Sequence, residues 1–294
     1  MQFLADQPFG FVGLVFVVIT GFIILQNNWI QISKYRVESK KIPGEFDGTK
    51  ILQLSDLHSK EFGKNNKRLI RKIERLNPDF IVITGDAMNN RRDNGIVFLN
   101  LLKQLTKMKK CYYVTGNHEH FTSLWDKDFL PAYLGEVCKA GAIHIDNKKV
   151  VLNKSGKRIY LYGMDIGIAY YRNLMKPASK EAAFKSNHIT ALLGECINDT
   201  FSILLTHNPL YFEAYAEWGP DLIFCGHIHG GIVRIPSVGG LLSPERVFFP
   251  KYSEGLYNEG STTMVVNRGL GNGTIPLRIF NRPEITMVEL RSYE

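Results

Sequence analysis

Eight polar side chains suited to metal binding or proton transfer occur in five short motifs of this sequence. Each motif directly follows a short apolar run that predicts a buried strand. The eight residues are Asp56, His58, Asp86, Asn117, His118, His207, His227 and His229. Side chains two residues apart on an extended backbone point to the same side, so the D-x-H and H-x-H pairs can each grip one ion or two adjacent ions. Imidazole, carboxylate and amide ligands without thiolate favour Mn, Fe, Zn, Ni or Co over Cu(I) or a cysteine-type structural zinc site.

Each motif alone also has an ordinary structural explanation. An isolated D-x-H is usually a hydrogen-bonded loop, and a single histidine in an apolar strand is more often a hydrogen-bonded core residue than a ligand. Five such motifs in order, each at the end of a predicted strand, favour one shared site instead.

The elements that must position these residues alternate between strands and helices. Apolar runs predict strands at 51–54, 80–84 and 112–115, and apolar residues at helical spacing predict helices at 69–76 and 96–108. Further strands are expected at 149–152, 158–162, 201–205, 221–225, 263–267 and 285–290. This alternation predicts an α/β fold whose site lies at the carboxyl ends of the strands, where such sheets place their ligands.

The ordered motifs resemble the calcineurin-like metallophosphoesterase superfamily, from about residue 50 to the C-terminus. The matching elements are Asp56-Leu57-His58, Gly85-Asp86, Gly116-Asn117-His118-Glu119, Thr206-His207-Asn208-Pro209 and Gly226-His227-Ile228-His229. Three further stretches, at 230–231, 268–271 and 282–284, are similar to its bacterial membrane-associated branch, which is phosphodiesterase-like or pyrophosphatase-like. The resemblance implies a four-layer α-β-β-α sandwich of two packed sheets, preceded here by one N-terminal transmembrane helix.

The same resemblance implies roles for the eight residues. One metal ion would be held by Asp56, His58, Asp86 and His229. A second ion would share Asp86 and be held by Asn117, His207 and His227. His118 would stay free of metal and act as the catalytic residue that faces the substrate phosphate. The cofactor is therefore expected to be two divalent ions, with Mn favoured.

One residue and one short stretch depart from the family pattern. Glu119 stands where aspartate is frequent, and residues 87–90 are more polar and less acidic than expected. Neither position is an expected ligand, so both departures concern the surroundings of the metals and the shape of the pocket. Arg91, Arg92 and Arg268 are candidate phosphate contacts, although a solvated surface position is the commoner outcome for any one arginine.

The N-terminal residues predict a membrane anchor at 1–30, followed by a juxtamembrane linker at 31–48 and a catalytic domain at 49–294. Residues 9–25 are apolar or small apart from Thr20, and with their flanks they reach across a hydrocarbon core of roughly 30 Å. A cleaved signal peptide is the main alternative, but the first seven residues carry no Lys or Arg and no small-x-small cleavage site follows. A buried core helix is the third interpretation of this segment.

The charges that flank this run give an orientation. Asp6 precedes it, whereas Lys34, Arg36, Lys40 and Lys41 follow it. Because the positive side of a span stays in the cytoplasm, we expect a single-pass cell-membrane protein with its catalytic domain on the cytoplasmic side.

Composition adds two constraints on partners and redox state. The formal net charge of +8 suits an anionic partner, such as a phosphorylated small molecule, a lipid-linked phosphate, a nucleic acid or an acidic membrane surface. No basic stripe with interleaved aromatic residues supports nucleic acid. The four cysteines lack CxxC spacing, which argues against a disulfide framework.

Three functions fit these observations. The leading hypothesis is a dinuclear metal-dependent phosphodiesterase or pyrophosphatase that acts on a membrane-derived or lipid-linked phosphate. A phosphomonoesterase or protein phosphatase would share the metal chemistry and differ in pocket shape. A catalytically inactive, membrane-tethered binding protein is the third hypothesis, and the intact ligand set argues against it.

Overall fold

The protein is built around two mixed β-sheets, and the computed structural model describes residues 7–89, 93–171, 184–273 and 277–293, apart from the side chains of residues 7–9. The helices in this part of the chain are α1 (Gln7–Asn28), α2 (Lys67–Leu76), α3 (Ile96–Met108), α4 (Asn117–Ser123), α5 (Phe129–Lys139), α6 (Ser186–Leu193) and α7 (Phe212–Trp218). The strands are β1 (Gln31–Ser39), β2 (Lys50–Leu54), β3 (Phe80–Thr84), β4 (Lys110–Val114), β5 (Ile143–His144), β6 (Lys148–Lys154), β7 (Lys157–Met164), β8 (Ser202–Thr206), β9 (Leu222–Cys225), β10 (Arg234–Ile235), β11 (Gly239–Gly240), β12 (Gly255–Glu259), β13 (Thr262–Val266) and β14 (Glu284–Ser292).

The first sheet has the strand order β1-β14-β2-β3-β4-β5. Strands β2 to β5 run parallel to one another, while β14 pairs antiparallel to β2 and parallel to β1. Helices α2 and α3 connect the parallel strands, as parallel pairing requires a long crossover. The carboxyl ends of β2, β3 and β4 therefore lie along one edge.

The second sheet has the strand order β12-β13-β9-β8-β7-β6. Its central strands β13, β9, β8 and β7 are parallel, and antiparallel strands close both sides. A small ribbon of β10 and β11 stands apart from both sheets.

Alternating side chains of the strands fill three separate cores. On β3, Ile81 and Ile83 pack against α2 and α3, whereas Val82 faces the other sheet. In the second sheet, Leu205 belongs to the core between the sheets, and Leu204 packs outward with α6 and α7. The layers are thus helix, sheet, sheet and helix, and the expected four-layer α/β sandwich is confirmed. Strands buried on both faces explain why their sequences are continuously apolar.

Residues 31–39 differ from the expected juxtamembrane linker, because they form β1 at the edge of the first sheet. The pairing with β14 runs from Gln31 opposite Glu284 to Ser39 opposite Ser292. Tyr35 and Val37 pack into the core between the sheets, while the alternating charged side chains of Lys34, Arg36 and Glu38 are exposed. The linker prediction is wrong for this segment, since the basic residues obscured a half-buried strand pattern. A fragment that begins after residue 40 would lose this strand.

Helix α1 projects from the sandwich and buries little of its surface. Its stretch Gly10–Asn28 has a mean hydropathy of 2.1 and is only 6% buried, so it is long and apolar enough to cross a membrane. Near its C-terminal end, Phe22, Ile23, Gln26 and Asn27 are partly or fully buried on the rest of the protein. The apolar helix expected before the sandwich is therefore present, with its last turns packed on the domain.

Candidate metal centre

The carboxyl ends of strands from both sheets meet at one point, and the motif residues lie there. Asp56 follows β2, Asp86 follows β3, Asn117 begins α4 after β4, and His207 and His227 follow β8 and β9. Gln53 joins the two sheets beneath this point, because its side-chain amide donates to Thr84 Oγ1 at 2.9 Å and to the Cys225 carbonyl at 2.8 Å. All eight sequence-predicted site residues are thereby brought into one region.

A first group of four buried side chains converges on one position. The group comprises Asp56, His58, Asp86 and His229, and one donor atom from each lies within 4.8 Å of the others. Asp56 Oδ1 is 3.3 Å from His229 Nε2, and His58 Nε2 is 3.7 Å from Asp86 Oδ2. The Nε2 atoms of His58 and His229 face each other at 3.0 Å. Two ring nitrogens and two carboxylates that point inward in this way match the donor set of a divalent transition metal.

A second group shares Asp86 with the first. Asp86, His207 and His227 also offer donor atoms within 4.8 Å of one another. Asp86 Oδ2 lies 3.2 Å from His207 Nε2, and His207 Nδ1 donates to the Thr84 carbonyl at 2.6 Å. That backbone contact turns the Nε2 atom toward the site, as a hydrogen bond to the remote nitrogen of a metal-binding histidine commonly does.

Asn117 directly precedes His118, whose backbone N–H donates to Asp86 Oδ1, so Asn117 lies near the carboxylate that both groups share. Its side-chain oxygen is buried and has no hydrogen-bond partner among the residues that the structure describes. A buried amide oxygen without a partner is costly, so a cation at this position would satisfy it. The residues of both groups therefore fit a pair of divalent ions.

His118 occupies a different position from the other histidines. Its Nε2 atom is 4.0 Å from Asp86 Oδ2, and its side chain is 23% exposed, whereas those of His58 and His207 are fully buried. The His118 backbone N–H donates to Asp86 Oδ1 at 2.8 Å. Its ring contacts the carbonyl of Asn89 through Nδ1. His118 is thus held beside the shared carboxylate with part of its ring open to solvent.

The electrostatics of the metal-free site favour ionised carboxylates. Burial disfavours the charge on Asp56 and Asp86, but the neighbouring histidines outweigh this effect. They lower the pKa of Asp56, and they hold the pKa of Asp86 well below its usual range. Burial lowers the pKa of His58 and His229, which keeps them neutral and ready to bind metal. Burial also opposes the charge on His207, yet Asp86 raises its pKa to about 10. A proton on His207 therefore partly balances the carboxylates when no cation does.

The backbone at the site is held in an uncommon conformation. The φ angles of Asp56, His58, Asp86, His227 and His229 lie between 46° and 70°. Such angles are rare for residues with a Cβ atom and concentrate at functional sites. The glycines of the motifs permit the close packing of these loops: a Cβ at Gly226 would collide with Ser55 Oγ and Asp56 Oδ2, and one at Gly116 with Asp86 Oδ1.

Glu119 stabilises the site without facing it. Its buried carboxylate accepts hydrogen bonds from the backbone N–H groups of Asp86 at 3.0 Å, Ala87 at 2.7 Å and Gly116 at 2.8 Å. It therefore joins the loop after β3 to the loop after β4. The sequence showed an unusual glutamate here, and the structure gives it a physical role.

Two residues outside the motifs contact His227. Glu245 Oε1 lies 2.8 Å from His227 Nε2, so a buried carboxylate from a distant loop holds this histidine. The ring of Tyr171 packs against His227 with centroids 5.2 Å apart. Neither residue belongs to a recognisable motif, and only the fold brings them to the site.

Of the arginines proposed as phosphate contacts, Arg268 lies among the described residues and is paired with carboxylates outside the donor groups. Arg268 forms an ion pair with Glu254 and lies 3.9 Å from Glu284 Oε1. Arg91 and Arg92 fall outside the described residues. Arg268 therefore has a structural role.

Fold and site together define the class of protein. Residues 49–231 match the family of calcineurin-like phosphoesterases, and the chain belongs to that family. It is a metal-dependent phosphoester hydrolase, and the family uses a dinuclear centre of divalent ions.

Three bacterial relatives are similar over most of their length. The metallophosphoesterase YkuE of Bacillus subtilis (strain 168) is 30% identical, over 91% of this chain and 88% of its own. The phosphodiesterase YaeI of Escherichia coli (strain K12) is 29% identical, over 82% of each chain. The UDP-2,3-diacylglucosamine pyrophosphatase LpxG of Chlamydia muridarum (strain MoPn / Nigg) is 23% identical, over 90% of each chain.

Proposed function

We propose that this protein is a membrane-anchored, dinuclear phosphodiesterase or pyrophosphatase that acts on a membrane-derived or lipid-linked phosphate. The observation that carries the proposal is the position of Asp86, which is common to both groups of donor atoms. A carboxylate in that position can bridge two cations, as the chemistry of phosphoester cleavage by paired metals requires.

The ligand assignment follows the two groups. Asp56, His58, Asp86 and His229 hold one ion, and Asp86, Asn117, His207 and His227 hold the other. When bound, the two ions supply Lewis-acid stabilisation of the phosphoryl oxygens and make a water more acidic. Nitrogen and oxygen donors without thiolate favour Mn as the ion, with Fe, Zn, Ni and Co as the other candidates.

His118 is the catalytic residue in this proposal. It stands next to the shared carboxylate, belongs to neither donor group and has part of its ring exposed. A protonated imidazole at this place can donate to a phosphoryl oxygen as negative charge develops, or give its proton to the departing oxygen. The contact of His118 Nδ1 with the Asn89 carbonyl orients the ring and leaves Nε2 for the substrate.

The substrate class is inferred from the relatives and from α1. One relative is named a phosphodiesterase, and another is named a pyrophosphatase of a diacylated sugar nucleotide. Helix α1 would hold the site beside lipids, which raises the local concentration of a phosphate carried by a lipid. The basic residues after α1 favour a catalytic domain on the cytoplasmic side of the cell membrane.

The function is tested by the hydrolysis of paired chromogenic substrates. Full-length protein in detergent is incubated with a phosphodiester or the matching phosphomonoester, with and without added Mn²⁺, next to an Asn117→Ala variant. We expect Mn²⁺-dependent cleavage of the diester that the variant loses. If the protein prefers the monoester, its function is that of a phosphatase instead. Turnover of neither substrate, together with bound metal, would leave lipid-linked diphosphates as the substrates to test next.

A further inference from the structure

An exposed apolar surface lies beside the candidate metal centre, and it is unusual for a water-soluble face. We call it the apolar rim, and it consists of Ile235, Val238, Val247, Phe248, Phe249 and Phe280. The exposed fractions of these side chains range from 38% at Val247 to 66% at Phe248. Contiguous apolar surface of this kind marks a site that meets another apolar phase.

The rim residues lie on neighbouring backbone segments. The Arg234 N–H donates to the Ile279 carbonyl at 2.9 Å, which places Phe280 next to the β10–β11 ribbon. On the other side of that ribbon, the Phe249 N–H donates to the Leu241 carbonyl at 3.0 Å. A bridge between Leu242 and Phe248 continues the arrangement. The rim is therefore carried by three chain segments whose backbones pair with one another.

The rim contacts α1 through Phe280. The rings of Phe22 and Phe280 pack edge to face with their centroids 5.5 Å apart. Phe22 lies six residues before the last residue of α1, which is about 9 Å along the helix axis. If α1 crosses a bilayer with its C-terminal end at the headgroups, Phe280 lies below the headgroup level in the same leaflet.

Polar groups at the end of α1 mark the headgroup level. The Arg282 guanidinium lies 5.3 Å from the centroid of Trp29, an aromatic residue of the type that favours membrane interfaces. The Lys60 ammonium donates to the Asn27 carbonyl. Two cations therefore lie where the helix leaves the domain, while Phe280 of the rim contacts its apolar part.

A cavity connects this region to the metal centre. It has a volume of about 100 Å³, and its wall includes His229 and the apolar side chains of Ile232, Leu242 and Leu277. Asn272 also lines the cavity, and its amide donates to Asn27 Oδ1 at 2.9 Å. The cavity wall is thus bonded directly to the end of α1.

We propose that the apolar rim inserts into the same leaflet as α1, so that the cavity opens toward the bilayer and admits the substrate from the membrane rather than from water. The insertion rests on α1 as a membrane span, and the entry route rests on the proposed function. The exposed Arg246 on the cavity wall supplies positive charge for an anionic headgroup at the entrance.

Insertion is tested without any activity measurement. Full-length protein in lipid vesicles carries one new cysteine, Phe249→Cys or Val238→Cys, labelled with an environment-sensitive fluorophore. The background is Cys138→Ser, because Cys138 is the exposed native cysteine and the other three are buried. The control is Val151→Cys on β6, which is 42% exposed on the second sheet.

We expect the labels at 238 and 249 to shift to shorter wavelength and to be quenched by nitroxides on the lipid acyl chains, while the label at 151 is unaffected. If the labels at 238 and 249 emit at the same wavelength as the label at 151, insertion is overturned. That result is expected if the rim binds a protein partner instead.

The entry route has its own test. A double variant, Phe248→Glu with Phe249→Glu, is compared with Val151→Glu on a phosphodiester lipid in vesicles and on a water-soluble chromogenic diester. We expect the double variant to lose at least about tenfold of the vesicle activity and to keep the activity on the soluble diester. If the double variant and Val151→Glu have equal activity on vesicles, the entry route is overturned. If the unmodified protein cleaves neither substrate, the proposed function is overturned, but the result of the labelling experiment still holds.

Discussion

The carboxylate of Glu119 accepts a hydrogen bond from the backbone N–H of Asp86, with a distance of 3.0 Å between Oε2 and N. The residue that would bridge two metals is therefore fixed by a buried acid that binds no metal in this account. Because the same carboxylate also accepts from Ala87 and Gly116, one side chain sets the spacing between two loops of the candidate metal centre.

This relationship predicts the effect of Glu119→Gln. The amide keeps one acceptor oxygen and turns an NH₂ group toward a backbone donor, so at least one buried N–H loses its partner. We expect a loss of about 1–3 kcal/mol in the free energy of unfolding and weaker metal binding. Denaturant unfolding of the metal-free protein measures the first effect. Glu136→Gln on the exposed face of α5 is the control, and an equal effect in both variants would contradict the role given to Glu119.

The shared position of Asp86 predicts the outcome of Asp86→Ala. Removal of this carboxylate takes one ligand from each donor group, so we expect both metal content and hydrolysis to be lost. Elemental analysis of the purified variant and its rate on the diester provide the measurements. Asp199→Ala, at an exposed position, should behave as the unmodified protein. Retained metal in Asp86→Ala would exclude Asp86 as the shared ligand.

His118→Ala should separate metal binding from catalysis. The ring belongs to neither donor group, so the metal content should remain unchanged. Loss of a positioned proton donor typically costs about 10²–10⁴ in rate, and a fall in kcat of that size is expected. His188→Ala on α6 is a control histidine outside the site. Loss of metal from His118→Ala, or its full activity, would each contradict the catalytic role.

Metal binding should release a proton near neutral pH. In the metal-free protein Asp86 raises the pKa of His207 to about 10, so His207 is protonated at pH 7. A cation must displace that proton, and the apparent affinity should therefore rise with pH by about tenfold per unit until the pKa is reached. Calorimetry in buffers of different ionisation enthalpy counts the released protons. If the affinity for Mn²⁺ does not change between pH 6 and 8, metal binding does not displace a proton from His207.

Much of the sheet architecture could be predicted from the sequence, because the central strands are buried on both faces. The strand expected at 80–84 coincides with β3, and the helix expected at 96–108 coincides with α3. The site residues could be predicted for a related reason: sharp turns at the strand ends require glycine, and metal binding requires a narrow set of side chains. Local patterns of this kind are visible without knowledge of the tertiary structure.

The parts that the sequence did not reveal depend on contacts between distant residues. β1 is an edge strand whose partner, β14, lies about 250 positions later, and the basic residues within it hide its alternating pattern. Lys41 was counted as a charge that orients the anchor, yet it forms an ion pair with Asp221 at 2.9 Å. Glu245 reaches His227 from an irregular loop that follows no periodicity. Tertiary packing decides each of these positions, so local propensity could not predict them.

The most direct test of the account is the number of Mn²⁺ ions that the full-length protein binds, measured by equilibrium dialysis with the unmodified chain, His229→Ala and His207→Ala. A carboxylate shared by two donor groups predicts two ions in the unmodified chain and one tightly bound ion in each variant. Electron paramagnetic resonance should show coupling between the two ions in the unmodified protein and its loss in both variants. One ion per unmodified chain, or two uncoupled ions, would contradict the shared centre at Asp86.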